Sequence, residues 1–121
     1  MKKFYFDVHM HLDLYKDTKN IINHILQYKS YTIAVTNLPY LYDRAMKKYG
    51  EHKYIRFALG LHPELIEQYP EQIPLFFDRL ENCRYIGEIG LDFSKTTSRS
   101  KLLQTDTFEK IISLNFESKV A

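Results

Sequence analysis

The chain has 121 residues, of which 45% are hydrophobic and 26% are charged. This is the length of one domain, spanning 1–121, with enough apolar residues for a buried core. The net charge of +2 gives no electrostatic indication of a nucleic-acid or membrane partner. The single cysteine, Cys83, excludes an internal disulfide, and we expect it to be buried rather than a catalytic thiol. The N-terminal apolar run is too short for a signal peptide or a membrane span, so we predict a cytoplasmic protein.

The first predicted element is a strand that begins at Phe4 and carries His9 and His11 at its end. Side chains alternate between the two faces of a strand, so these two imidazoles project from the same side. With Asp7 and Asp13 beside them, they are well placed to bind one metal ion. The alternative is a buried strand with two polar end residues.

Three further strand–helix units follow along the chain. Strands are predicted over Tyr31–Val35, Ile55–Leu59 and Arg84–Ile89. Amphipathic helices are predicted from a cap at Thr18, from about Tyr40 to a stop at Gly50, from near Pro70, and after the polar loop 94–100. This alternation is typical of an α/β fold, with a parallel sheet and helices outside it.

In parallel sheets of this kind, functional side chains gather at the carboxyl ends of the strands. The predicted elements place six polar residues there: His9, His11, Asn37, His62, Glu88 and Asp92. We therefore expect these side chains to converge.

Glu88 lies between Gly87 and Gly90 at the end of an otherwise apolar strand. Burial of a carboxylate is costly unless a cation or hydrogen-bond donors compensate it, and glycines permit a ligand to approach closely. A carboxylate that bridges two metal ions opposite His9 and His11 fits this position, and a structural glutamate bonded to loop amides is the alternative. Paired divalent ions polarise a phosphoryl oxygen and generate hydroxide, and this ligand mixture suits Mg²⁺, Mn²⁺ or Zn²⁺.

Two other polar residues of this edge have open roles. His62 stands in a turn that Pro63 stiffens, where it is able to bond a phosphate or to orient a metal ligand. A turn histidine bonded to the backbone is the alternative. Asp92 either supports the site or caps the loop that follows.

Three segments resemble, in order and spacing, the successive signatures of the TatD family. They are DVHMHLD at 7–13, LGLHPE at 59–64 and IGEIGLD at 86–92. This family consists of metal-dependent hydrolases, typically deoxyribonucleases, on a TIM-barrel fold. The amino-acid sequence around Val35–Pro39 and Leu61–Leu65 is most similar to the QatD-type branch, which is associated with antiphage defence.

The resemblance implies a set of roles for the site residues. His9 and His11 would be ligands of one metal, and Glu88 would bridge two divalent ions in a complete site. His62 would lie near the substrate phosphate, and Asp92 is a further candidate for substrate binding. DNA is the implied substrate.

The length of the chain departs from the family pattern. The family continues for roughly as many residues again and supplies two more histidines and a late aspartate to the metals. A (β/α)₈ barrel needs about 250 residues, whereas about four βα units are predicted here. We therefore expect the N-terminal half of a TIM barrel, with open edges at its first and fourth strands and a tail from Asn115 where a fifth strand would begin.

Such a half barrel is expected to be a truncated, inactive or partner-dependent fragment, completed by a missing C-terminal half or by a second copy. Two alternatives to a DNase stay open from the sequence. One is an amidohydrolase-like enzyme that acts on an ester, lactone or amide, because barrels of this class host many hydrolyses. The other is a non-catalytic remnant or subunit.

Overall fold

The computed structural model describes residues 3–50, 52–114 and 117–121. Strands and helices alternate from the start of the chain. They are, in chain order, β1 (Tyr5–Met10), α1 (Thr18–Tyr28), β2 (Ser30–Ala34), α2 (Pro39–Tyr49), β3 (Ile55–Phe57), α3 (Gln72–Leu80) and α4 (Ser98–Ile112). Single 3₁₀ turns at Leu12–Leu14 and Pro63–Leu65 follow β1 and β3.

The named strands form one parallel sheet in the order β1-β2-β3. Tyr5 lies opposite Ser30 in the first pair, and Thr32 lies opposite Ile55 in the second. Parallel neighbours need a crossover connection, which α1 and α2 supply. The predicted α/β fold with parallel strands is thus confirmed, in the arrangement expected of half a TIM barrel.

The fourth predicted strand, Arg84–Ile89, is not continuous. In the described part of the chain it is reduced to isolated parallel bridges, from Ile86 to Leu59 and from Tyr85 to Val120. The N–H of Ile86 donates to the carbonyl of Val120 at 2.8 Å. Beyond Ile86 the main-chain bonds of this segment go to the ends of the neighbouring strands rather than to a strand ladder, which is why it is too short to form a regular strand.

The tail of the chain reaches the place predicted for a fifth strand. Val120 lies beside the Arg84–Ile86 segment and donates its N–H to the carbonyl of Arg84 at 2.8 Å. Asn115, where this tail was predicted to begin, lies outside the described residues.

Two helix starts differ from the sequence prediction. Helix α4 begins at Ser98, inside the loop that was predicted over 94–100, and Thr97 caps it. Asp17, not Thr18, caps α1, because its Oδ1 accepts the N–H of Asn20 at 3.0 Å. The predicted stop at Gly50 is confirmed, with a φ of 59° that favours glycine.

Two apolar clusters form the core. The first packs α1 and α2 against β2 and β3, and its buried members are Leu12, Ile25, Ala34, Ala45, Tyr54, Ile55 and Phe57. The second packs α3 and α4 around the end of β3, and its buried members are Leu38, Leu59, Leu61, Ile66, Phe76, Leu80, Cys83, Ile86 and Ile111. Cys83 is therefore buried, as predicted.

β1 is the edge strand of the sheet, and Phe6 and Val8 on it are exposed. Within the described ranges, no helix is long and apolar enough to cross a membrane.

Candidate metal centre

Three potential metal ligands meet at the carboxyl ends of the strands. His9 lies on β1, His11 directly follows it, and Glu88 lies two residues beyond Ile86. Nε2 of His11 is 3.2 Å, and Nε2 of His9 is 3.5 Å, from the same oxygen, Oε2 of Glu88. One ligand atom from each of the three residues lies within 4.8 Å of the others, a spacing compatible with a single ion.

The two histidines differ in their exposure to solvent. The side chain of His9 is 57% exposed, whereas that of His11 is 23% exposed. Asp7 accepts the backbone N–H of His9 through Oδ1 at 3.1 Å. Neither Asp7 nor Asp13 belongs to the ligand group that the described residues form.

His62 lies against the other oxygen of Glu88. Its Nδ1 accepts the N–H of Glu64 at 3.2 Å, and its Nε2 is 3.3 Å from Oε1 of Glu88. His62 thus bonds the backbone of its turn, which was one of the two alternatives, and its ring also lies beside the carboxylate of Glu88.

The backbone of Glu88 is held from two sides. Its N–H donates to the carbonyl of Thr36 at 2.9 Å, and its carbonyl accepts the N–H of Leu61 at 2.9 Å. Gly60 permits this closeness, because a Cβ there would lie 1.5 Å from the carbonyl oxygen of Thr36 and 2.8 Å from the nitrogen of Glu88. A Cβ on Gly87 would lie 3.1 Å from Cγ1 of Val35. Close backbone contact therefore fixes the carboxylate opposite the two histidines.

Asp92 lies outside the three-residue ligand group. Its Oδ1 accepts the hydroxyl of Ser94 at 2.6 Å and the N–H of the same residue at 3.0 Å. These hydrogen bonds hold the pKa of the Asp92 carboxyl below its ordinary value, and the charges of His62 and Lys95 act in the same direction. The structure thus shows Asp92 as a cap of its own loop.

A glutamine that the sequence prediction missed holds the backbone of this loop. Gln104 is fully buried on α4, where its Oε1 accepts the N–H of Asp92 at 2.9 Å and its Nε2 donates to the carbonyl of Asp92 at 3.0 Å. Gln104 lies one turn before Phe108 and two turns before Ile111. These three residues share one face of α4, which is otherwise apolar, and a polar residue on that face could have indicated a buried hydrogen-bonding role.

The donor set fits a divalent metal ion. Two imidazole nitrogens and one carboxylate are the ligands of catalytic zinc sites, which leave a coordination position open for water or substrate. Nδ1 of His11 is buried without a hydrogen-bond partner in the part of the chain that the structure describes. A histidine that binds a metal through one ring nitrogen uses the other nitrogen for a hydrogen bond. Nδ1 of His11 would therefore need a hydrogen-bond partner, such as a water molecule, when Nε2 binds a metal.

Comparison with protein families identifies the chain. The sequence model of a family described as TatD related DNase matches residues 6–121. The chain belongs to the TatD family. TatD proteins are metal-dependent hydrolases on a TIM barrel, so this α/β chain is a TatD-type hydrolase whose His/Glu group is its candidate metal-binding group. No curated protein matches the chain significantly. The QatD-type branch and the truncation of the chain stay predictions.

Proposed function

We propose that this TatD-family chain provides the His/Glu metal centre of an enzyme that hydrolyses phosphodiester bonds of DNA with divalent metal ions, and that by itself it is inactive or depends on a partner chain. The observation that carries the proposal is the group of His9, His11 and Glu88, whose ligand atoms come within 4.8 Å of one another from distant parts of the chain. In this group two histidines face the carboxylate of a residue whose backbone is hydrogen-bonded on both sides.

Each side chain of the centre has a proposed task. His9, His11 and Glu88 would together hold one ion. A divalent ion at this place would polarise a phosphoryl oxygen and lower the pKa of a bound water. His62, whose Nε2 lies 3.3 Å from Oε1 of Glu88, is placed to orient that carboxylate and to bond a substrate phosphate.

The substrate class is proposed from the shape of the site and from the family. The centre lies at an open edge, with the His9 side chain more than half exposed, and an open edge admits a polymer strand. Asp92 is half-buried on the loop that follows Glu88. We propose that this loop, with Asp92 on it, contacts the substrate. A bridging role of Glu88 between two divalent ions, as the family resemblance implies, is part of the proposal.

Metal binding and hydrolysis are tested separately. Titration of the metal-free protein with Mn²⁺, Zn²⁺ and Co²⁺ by calorimetry is expected to show binding that Glu88→Gln and His9→Ala each abolish. The matched control is His24→Ala, because His24 is an exposed histidine on α1 that is remote from the ligand group. Equal binding by the wild type and by Glu88→Gln would rule out the proposed centre.

Hydrolysis is tested with end-labelled single-stranded and double-stranded oligonucleotides beside a panel of small esters, lactones and amides. Metal-dependent cleavage of the oligonucleotides that is lost in His9→Ala would support the DNase and show that the chain is active without a partner. Cleavage confined to the small substrates would replace it with the amidohydrolase-like alternative. Binding of metal with no hydrolysis of either class is expected of an inactive or partner-dependent chain, or of a non-catalytic subunit.

A further inference from the structure

Thr36 connects the ends of three strand segments. It lies two residues beyond β2 and is 2% exposed. Its hydroxyl donates to the carbonyl of Ala58 at 2.8 Å and accepts the N–H of Gly60 at 3.0 Å. Both partners belong to the chain that leaves β3, so this buried hydroxyl joins the ends of β2 and β3, in addition to the backbone bonds from Ala58 to Ala34 and from His62 to Asn37.

The main chain of Thr36 reaches the segment that carries Glu88. Its carbonyl accepts the N–H of Glu88 at 2.9 Å, and its own N–H donates to the carbonyl of Gly87 at 3.1 Å. The first of these bonds, from Glu88 to the carbonyl of Thr36, passes directly over Gly60, where the missing side chain leaves the space that it needs. A movement of Gly60 relative to Thr36 would therefore displace the backbone of Glu88 as well.

We propose that Thr36 is a positioning residue of the metal centre, whose hydroxyl holds the Gly60 turn in the place that lets Glu88 face His9 and His11. This rests on the proposed function, since it concerns the same centre. Without the hydroxyl, the N–H of Gly60 and the carbonyl of Ala58 lose their partner in a buried place. Buried groups without partners are costly, so the turn shifts to find new ones.

The test compares variants that separate the hydroxyl of Thr36 from its shape. Thr36→Val keeps the volume and removes the hydroxyl, whereas Thr36→Ser keeps the hydroxyl and removes a methyl group. The matched control is Thr32→Val, because Thr32 is 3% exposed on β2 and its hydroxyl donates to the carbonyl of Ser30 at 3.0 Å, at the opposite end of the strand.

The first measurement is the Kd for Co²⁺, from visible absorbance at a temperature at which all variants are folded. Thr36→Val is expected to weaken binding by about 10- to 100-fold, the usual effect of losing a residue that orients a metal ligand. Thr36→Ser and Thr32→Val are expected to bind as the wild type does. Equal affinity of Thr36→Val and the wild type, or an equal loss in Thr32→Val, would overturn the inference. Should Thr36→Val not fold, Thr36→Ala is compared with Thr36→Ser, since that pair differs only in the hydroxyl.

The second measurement needs no metal. Amide hydrogen exchange of the metal-free protein is expected to be faster at Gly60 and Glu88 in Thr36→Val, and unchanged at these amides in Thr32→Val. If the wild type binds no Co²⁺ but exchange at Glu88 responds to Thr36→Val, the proposed metal centre fails and the positioning of Glu88 stands. If the wild type binds Co²⁺ and exchange at Glu88 is the same in all variants, the metal centre stands and the inference fails.

Discussion

The substitution Gly60→Ala is expected to damage both the fold and the metal centre. The new Cβ would lie 1.5 Å from the carbonyl oxygen of Thr36 and 2.8 Å from the nitrogen of Glu88, and both contacts are with backbone. No rotation of a side chain relieves such contacts, so the strand ends must separate. The hydrogen bond between Thr36 and Glu88 is the first to be lost.

The size of this effect follows from two contributions. Overpacking a tight site costs about 1–3 kcal/mol, and leaving a buried hydrogen-bonding group without its partner costs about 1–3 kcal/mol. Together they lower the free energy of unfolding by roughly 2–6 kcal/mol. For a domain of this size each kcal/mol lowers Tm by roughly 3–5 °C, so a decrease of about 6–30 °C is expected.

Urea denaturation followed by circular dichroism measures the stability, and Co²⁺ titration of the folded fraction measures the centre. Gly50→Ala is the control, because its φ of 59° makes alanine unfavourable by about 1–2 kcal/mol while the nearest atom to its Cβ is 4.0 Å away. That variant should lose stability and keep the Co²⁺ affinity of the wild type. A Gly60→Ala protein with unchanged stability and unchanged Co²⁺ affinity would refute the reasoning.

Three further outcomes are expected. His62→Phe should weaken Co²⁺ binding by about tenfold without abolishing it, because His62 orients Glu88 rather than joining the ligand group, and complete loss by calorimetry would contradict this. Ser94→Ala should raise the pKa of Asp92 toward its ordinary value of 3.8, as measured by carboxyl NMR. The pKa of Asp92 is lower in the folded than in the unfolded protein, so the stabilisation by Ser94 is present above pH 3.8 and is lost as the pH falls through the folded-state pKa. The wild type and Ser94→Ala should therefore differ in Tm at neutral pH and have the same Tm in acid. Phe76→Ala should lower the free energy of unfolding by about 3–5 kcal/mol, since this ring is fully buried, and a loss under 1 kcal/mol in urea denaturation would be inconsistent with that packing.

The order of the elements could be predicted from the sequence because it depends on local patterns. Apolar periodicity located the helices, and Gly50 marked the end of α2 correctly. His9 and His11 could be predicted as a ligand pair because the alternation of side chains along a strand places them on the same face. Glu88 could be predicted as a candidate because it is a carboxylate in an otherwise apolar segment.

The contacts that hold the site could not be predicted, because they join residues far apart in the sequence. Nothing in the sequence near Thr36 indicates that its carbonyl meets the N–H of Glu88 over Gly60. Gln104 was hidden in the same way, as one polar residue in an amphipathic helix. The cap of α1 was assigned to Thr18 rather than Asp17 because two adjacent residues had suitable side chains, and only the backbone geometry decides between them.

The path of the chain between His11 and Glu88 has a consequence for how the protein folds. Each link along this path is a parallel strand pairing across a crossover, and such pairings close long loops before they gain contacts. The histidines and the glutamate therefore come together only once the β1-β2-β3 sheet and the Gly60 turn are in place. An ion that binds this group binds the folded chain and not the unfolded one, so Tm is expected to rise with ion concentration.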